Sequence, residues 1–212
     1  SKISNDPQFA NKELIKAIRN NDLKLVERIL DYGKADVNLR IGDILNNKIL
    51  FIFNKIANRD YENNPGCKID CDGKIYTEEV IDGEIDRDIF DVSDWTLVHY
   101  AAFDNNIDLL KILVNHGADI NLKENDFGRT PVLFAVFALN KEAVEFLVNN
   151  GACIESSDYD GAKPIDAVTS LLDCDSSLYL DNYNSLSDDA LSDDGRKAAR
   201  SILEILNAKK SN

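Results

Sequence analysis

The chain has 212 residues, 44% of them hydrophobic and 29% charged, which is the balance of a folded protein rather than a disordered or fibrous one. Its formal charge of −14 disfavours nucleic acid and anionic membranes as partners and favours solubility or a basic partner. The longest apolar run, ILFIF at 49–53, is far short of the roughly 18–20 residues that span a bilayer, and the N-terminal SKISNDPQ has no apolar core of the kind an export signal carries.

In chain order, KELIKAIRNNDLKLVERILDYGKADVN (12–38) predicts two amphipathic helices closed by Gly33 and a D-V-N turn. The next stretch, 39–58, contains DILNNKILFIFNKIAN, whose apolar spacing predicts another first helix. Residues 59–94 then hold twelve acids against four bases. Within them, KIDCDGKIYTEE (68–79) matches the calcium-binding EF-hand loop at Asp70, Asp72, Gly73, Ile75 and Glu79. Lys68 stands where that loop needs its first anionic ligand, and Pro65-Gly66 would break the helix that should lead into it. The pairs Asp72-Gly73 and Asp82-Gly83 read better as two-residue hairpin turns, predicting strands at 67–71, 74–81 and 84–87 with Ile69 opposite Tyr76 and Val80 opposite Ile85. The expectation is therefore an acidic β-meander insertion over 59–90 and no bound metal.

Two similar segments follow. DWTLVHYAAFDNNIDLLKILVNHGADIN (94–121) and GRTPVLFAVFALNKEAVEFLVNNGACIE (128–155) place Thr96 and Thr130, and Gly117 and Gly151, 34 residues apart. Each predicts a helix pair. Thr96 and Thr130 are hydroxyl caps, Pro131 sits in a first helical turn, and small Ala101, Ala102 and Ala135 allow close helix approach. Gly117 and Gly151 end the second helices in the left-handed conformation that glycine adopts cheaply. After DAVTSLL the chain enters 173–194, with seven aspartates and no Lys or Arg, which predicts an acidic loop. GRKAARSILEILNAKK then predicts a closing amphipathic helix whose Arg196, Lys197 and Arg200 give the last unit a polar face.

A period near 33–34 with T-P-L-H-like and G-A-D-x-N-like signatures resembles the ankyrin repeat, most specifically over 91–155 through Thr96, His99, Ala101, Ala102, Gly117, Ala118 and Asn121. The resemblance implies an all-α solenoid of stacked helix–turn–helix units, forming one domain over 1–212. The units are 11–38, a degenerate 39–58, 91–121, 122–155 and 156–210. Gly33 and Gly117 are separated by two periods plus 18 residues, so the outer helix of the second unit is expected to be displaced or replaced by the insertion.

The resemblance implies binding of a protein partner through turn tips and the exposed side of the inner helices. The tip places are Val92, Ser93, Trp95, Asp126, Phe127, Arg129, Tyr159 and Asp160; the inner-helix places are Tyr100, Phe103, Asp104, Phe134 and Phe137. Aromatic residues and arginine are what energetic hot spots favour. His99 is expected to bond a neighbouring turn backbone, and the side chains of Asn38 and Asn121, which close the D-V-N and D-I-N turns, to bond turn backbone. In the family such an asparagine, eight residues after a leucine (Leu30 and Leu113 here), can also be hydroxylated.

No nucleophile–histidine pairing, phosphate loop or H-E-x-x-H pattern is found, so the expectation is a binding module and not an enzyme, with no cofactor. Cys67, Cys71, Cys153 and Cys174 have no zinc spacing and read as reduced thiols in the cytoplasm. A monomer that avoids membranes and takes a basic partner completes the reading. Two rivals are an effector that an intracellular microbe delivers into a host cell and the targeting part of a larger enzyme.

Overall fold

The computed structural model describes residues 6–41, 67–69, 75–81, 84–90, 94–125, 127–172 and 193–210. The chain divides into two units, residues 1–95 and 96–212. That boundary falls inside the segment 91–121 that the repeat spacing groups together.

In the first unit, α1 (Pro7–Arg19) starts behind Asp6, whose carboxylate accepts the Gln8 N–H at 3.0 Å. Pro7 takes the first helical position, where its missing N–H costs nothing. Asn21 turns the chain at φ 53°, a conformation asparagine tolerates better than most residues. Asp22 then caps α2 (Leu23–Asp31) by accepting the Leu25 N–H at 3.1 Å. The helices bury Leu14, Ile15 and Ile18 of α1 and Val26, Ile29 and Leu30 of α2. Further on, the Ile41 N–H donates to the Trp95 carbonyl at 2.8 Å and Arg40 Nη1 donates to the Asp94 carbonyl at 2.6 Å. The backbone on the two sides of 42–93 is thereby tied together.

Within that span three antiparallel strands, β1 (Cys67–Ile69), β2 (Ile75–Ile81) and β3 (Glu84–Phe90), form a sheet in the order β1-β2-β3. Val80 pairs with Ile85, the register a two-residue connection at 82–83 requires. The other connection departs from expectation: Ile69 pairs with Ile75 and Lys68 with Tyr76, so the register is shifted by one from a two-residue turn at Asp72-Gly73. The last strand also runs on to Phe90, past the expected end at residue 87. Residues 75–79, the later half of the calcium-loop match, are extended backbone paired with Phe90 to Asp86. The expected helix over 43–58, the two Asp-Gly turns, and most of the 173–194 loop lie outside the described residues.

In the second unit the helices alternate between short inner and longer outer ones. The inner helices are α3 (Leu97–Phe103), α5 (Pro131–Phe137) and α7 (Pro164–Leu172). The outer ones are α4 (Ile107–Asn115), α6 (Lys141–Asn149) and α8 (Asp193–Lys210). Each inner helix packs on the next, α3 on α5 and α5 on α7, while α4 meets α6 and α6 meets α8. The core holds fully buried Leu97, Leu109, Leu113, Leu133, Leu147, Ile202 and Leu206. Truncating any of these large side chains to alanine would cost about 2–5 kcal/mol.

The same turn is built twice between inner and outer helices. Asn106 N donates to Ala101 O at 2.9 Å, and Asn140 N donates to Ala135 O at 2.9 Å. The residue before each is left-handed, Asn105 at φ 52° and Leu139 at φ 55°. Polar side chains then lock adjacent units. Asn140 Nδ2 donates to the carbonyls of Ala102 (3.0 Å) and Phe103 (2.7 Å), and Asn105 Oδ1 accepts the Ala143 N–H at 3.1 Å. Outer helices end at Gly117 (φ 83°) and Gly151 (φ 95°), each followed by an alanine N–H returned to a leucine carbonyl.

Candidate partner-binding surface

The turn that joins α4 to α5 is organised around a buried carboxylate. Glu124, 2% exposed, accepts the N–H groups of Phe127 (3.0 and 3.1 Å to its two oxygens) and Arg129 (2.9 Å). Its own N–H donates to the Arg129 carbonyl at 3.0 Å, which closes the turn. That carbonyl also bonds His99 Nε2 at 3.1 Å, while His99 Nδ1 accepts the Thr96 N–H at 3.2 Å. An acceptor Nδ1 leaves the proton on Nε2, so the fully buried His99 bridges its own helix start to the next turn, as the sequence leads one to expect. Thr96 Oγ1 lies 2.8 Å from the same Nδ1. Thr130 holds the equivalent place, but its buried hydroxyl has no hydrogen-bond partner among the described residues.

Arg129 fills the space under this turn. Its guanidinium carbon lies 4.2 Å from the Phe127 ring centre and 5.2 Å from that of Phe137, so the cation joins the turn tip to the end of α5. Its Nε stands 3.9 Å from Asp158 Oδ2, with the two side chains 5% and 1% exposed. Asp158 is fixed in turn, since its Oδ1 accepts the Ala162 N–H at 2.7 Å. Beside it, the Tyr159 N–H donates to the Phe127 carbonyl at 2.8 Å, which joins the two successive turn tips. The Tyr159 ring rests on Gly128: a Cβ there would stand 2.5 Å from two ring carbons, and the backbone is left-handed at φ 70°. Gly128 is therefore required both by its conformation and by the ring above it.

The nine candidate residues separate by burial. Phe127 is 39% exposed and Tyr159 65%, both at turn tips, while Phe103, Asp104 and Phe137 are half-buried at the ends of α3 and α5. Four others are not at the surface. Trp95 and Tyr100 are each 4% exposed, Arg129 4% and Phe134 2%. The reason is specific in two cases, Arg129 and Phe134. Arg129 is drawn inward by Asp158 and by the two phenylalanine rings it joins. Phe134 packs edge-on to His99 (5.1 Å between ring centres) and to Phe103 (6.4 Å), filling the interval between inner helices. Burial, and secondarily the Asp104 carboxylate, push the Tyr100 phenol up to about 12, which keeps it neutral. Trp95 is buried in the first unit, with its carbonyl bonded to Ile41. Val92, Ser93 and Asp126 lie outside the described residues.

The sequence did not single out Glu124 and Asp158, which hold this surface in shape. Each lies just before a turn tip, and their burial depends on backbone N–H groups that only the folded turn brings together. Asn121 does what its turn position suggested. Its N–H donates to Asp119 at 2.8 Å, and its Oδ1 accepts the Cys153 N–H of the following turn at 2.8 Å. His116, just before Gly117, is half-buried, with Nδ1 2.8 Å from the Ile112 carbonyl.

Electrostatics at the rim are local. The Lys163 ammonium bonds Glu155 at 2.7 Å, which lowers the carboxyl and raises the amine from their ordinary values. The Glu142 carboxyl is lowered mainly by its own backbone N–H at the start of α6 and then by the Asn105 amide. No helix of the described residues is long and apolar enough to cross a membrane.

Comparison with known proteins locates the same region. A family model described as "Ankyrin repeats (many copies)" matches residues 98–148. Two relatives, both called NF-kappa-B inhibitor cactus, from Drosophila yakuba and Drosophila melanogaster, are each 56% identical over 39 residues. That stretch is 18% of this chain and 8% of each relative. The helix pairs, the 34-residue spacing and the family match agree: residues 98–148 are ankyrin repeats.

Proposed function

We propose that the chain is a protein-recognition module, and that its partner lies against a surface running from the tips at Phe127 and Tyr159 to the half-buried Phe103, Asp104 and Phe137. The observation that carries this reading is the Arg129 guanidinium held between the Phe127 and Phe137 rings. It fixes a turn-tip aromatic and an inner-helix aromatic relative to each other before any partner arrives. Pre-organised aromatic surface loses little conformational entropy on binding, which is what a hot spot needs. Support also comes from the cactus relatives, which are named for what they inhibit rather than for a reaction they catalyse.

The module acts by binding and not by catalysis. Both ring nitrogens of His99 are engaged in holding the fold, and His116 caps its own helix. The partner is basic and the module monomeric, a reading supported by the net charge of −14. The test is capture of partners from a lysate with the full chain and with a Phe103→Ala/Phe137→Ala variant, after circular dichroism shows that both are folded. Loss of at least ten-fold of the captured protein is expected from the variant. Equal capture by the two would remove the inner-helix surface from the reading.

A further inference from the structure

Among the described residues of the second unit, the two tip aromatics are the large exposed hydrophobic ones, and each already has one ring face in use. Phe127 lies on the Arg129 guanidinium at 4.2 Å, and Tyr159 lies on the backbone of Gly128. Their backbones are bonded to each other at 2.8 Å, so the outward faces form one fixed surface across two turns. The charges around it do not balance. The carboxylates of Glu124 and Asp158 lie in the two turns that carry the rings and Asp160 follows Tyr159 in the chain, against the cations of Arg129 and Lys123. The cations are turned to internal duty: Arg129 is buried, and Lys123 donates to the Ser157 carbonyl at 2.6 Å. Of these five charged groups only Asp160 is exposed. Nearby Lys163 and Glu155 neutralise each other at 2.7 Å.

An aromatic surface with its negative quadrupole face outward and an exposed carboxylate next to it in the chain, over buried or half-buried charges that cancel, attracts a cation with an apolar stem. We propose that this tip seats a lysine or arginine side chain from an extended segment of the partner protein. The stem lies across the outward faces of Tyr159 and Phe127, and the cationic head meets the Asp160 carboxylate. The inference rests on the recognition reading above and names the chemistry that the tip selects.

A phage-displayed library of random decapeptides selected on the full chain tests it, followed by affinities of the recovered peptides as synthetic probes. Recovered peptides should be enriched in Lys or Arg. Replacing that residue by norleucine or citrulline, which keeps the stem and removes the charge, should weaken binding at least ten-fold. Tyr159→Ala should weaken it about ten-fold, and Asp160→Asn, at an exposed position where folding is undisturbed, several-fold with a reduced dependence on salt. Selection that yields no basic enrichment, or peptides indifferent to both substitutions, overturns the tip assignment. If those peptides instead lose binding on Phe103→Ala/Phe137→Ala, the recognition reading stands without it. If they are indifferent to all four substitutions, both fail.

Discussion

Replacing Arg129 with alanine separates two roles that the same residue could have, a contact for a partner or a strut beneath the contact surface. The side chain is 5% exposed and its Nε lies 3.9 Å from Asp158 Oδ2, a carboxylate oxygen that is itself buried. Truncation strands that carboxylate without its nearest cation. Breaking a buried pair in this way costs about 3–5 kcal/mol. A spacing of 3.9 Å is wider than a hydrogen bond, which places the expectation at the lower end of that range. Loss of the contacts with Phe127 and Phe137 adds on the order of 1 kcal/mol. Urea unfolding at neutral pH, followed by far-ultraviolet circular dichroism, would measure this for Arg129→Ala, Asp158→Ala and the double variant. The double variant should lose less than the two single losses combined, by at least about 1 kcal/mol, because the partners share one interaction. If Arg129→Ala stays within about 1 kcal/mol of the parent while partner binding disappears, the strut argument is wrong and Arg129 is a direct contact.

Three further substitutions probe the frame. Leu139 occupies the left-handed position at φ 55° where the preceding unit has Asn105, a conformation that costs a branched residue roughly 1–2 kcal/mol; Leu139→Asn should raise stability by about 0.5–1 kcal/mol in the same urea experiment, and a loss would mean that the leucine's packing outweighs its strain. Thr130 has a buried hydroxyl with no partner among the described residues, so Thr130→Val should leave stability unchanged or raise it by up to about 1 kcal/mol. Thr96→Val, which removes the contact to His99 Nδ1 at 2.8 Å, should cost about 1 kcal/mol; equal effects at the two threonines would contradict the difference between them.

Tyr100 gives a pH signature. Its folded value of about 12 lies above the ordinary 10, so between those pH values the unfolded chain gives up a proton that the folded chain retains. Its contribution is therefore complete below about pH 10 and is lost as pH rises toward 12, a fall of roughly 3 kcal/mol. The thermal midpoint of Tyr100→Phe should decline less over this window than that of the parent; parallel declines would exclude Tyr100 as the source.

The features legible in the sequence are those determined within one turn or one helix. The left-handed glycines after α4 and α6 and the proline opening α5 follow from local backbone preferences, and they recur because the unit recurs. His99 was also legible, since its place fixes which neighbouring turn it can reach. The surface was less so, because exposure is decided by what the next unit supplies. Arg129 reads as a tip residue until Asp158, from the following turn, draws it inward; Phe134 reads as an inner-face aromatic until His99 and Phe103 enclose it. The hairpin shows the same limit on a smaller scale. Asp72-Gly73 has the composition of a two-residue turn, yet pairing of Ile69 with Ile75 leaves residues 70–74 between the strands, because register answers to the whole ladder and not to one dipeptide.

The buried residues at expected contact positions change where specificity should be sought. A repeat stack of interchangeable helices gains an individual surface only where side chains break the pattern, and here the break is concentrated at one place. Glu124 curls the turn, Arg129 reaches from it to Asp158 and Phe137, and Tyr159 settles on Gly128 from the adjacent tip. Buried Glu124, Arg129 and Asp158 need not touch a partner. Their effect is to hold Phe127 and Tyr159 side by side, their backbones joined at 2.8 Å. A substitution beneath the surface should therefore alter binding through the position of the two rings. Gly128→Ala, which sets a methyl group 2.5 Å from the Tyr159 ring carbons and so must move the ring, is the most local version of that argument. Weaker binding of a Lys- or Arg-containing peptide, with the helical signal retained, is the result that follows.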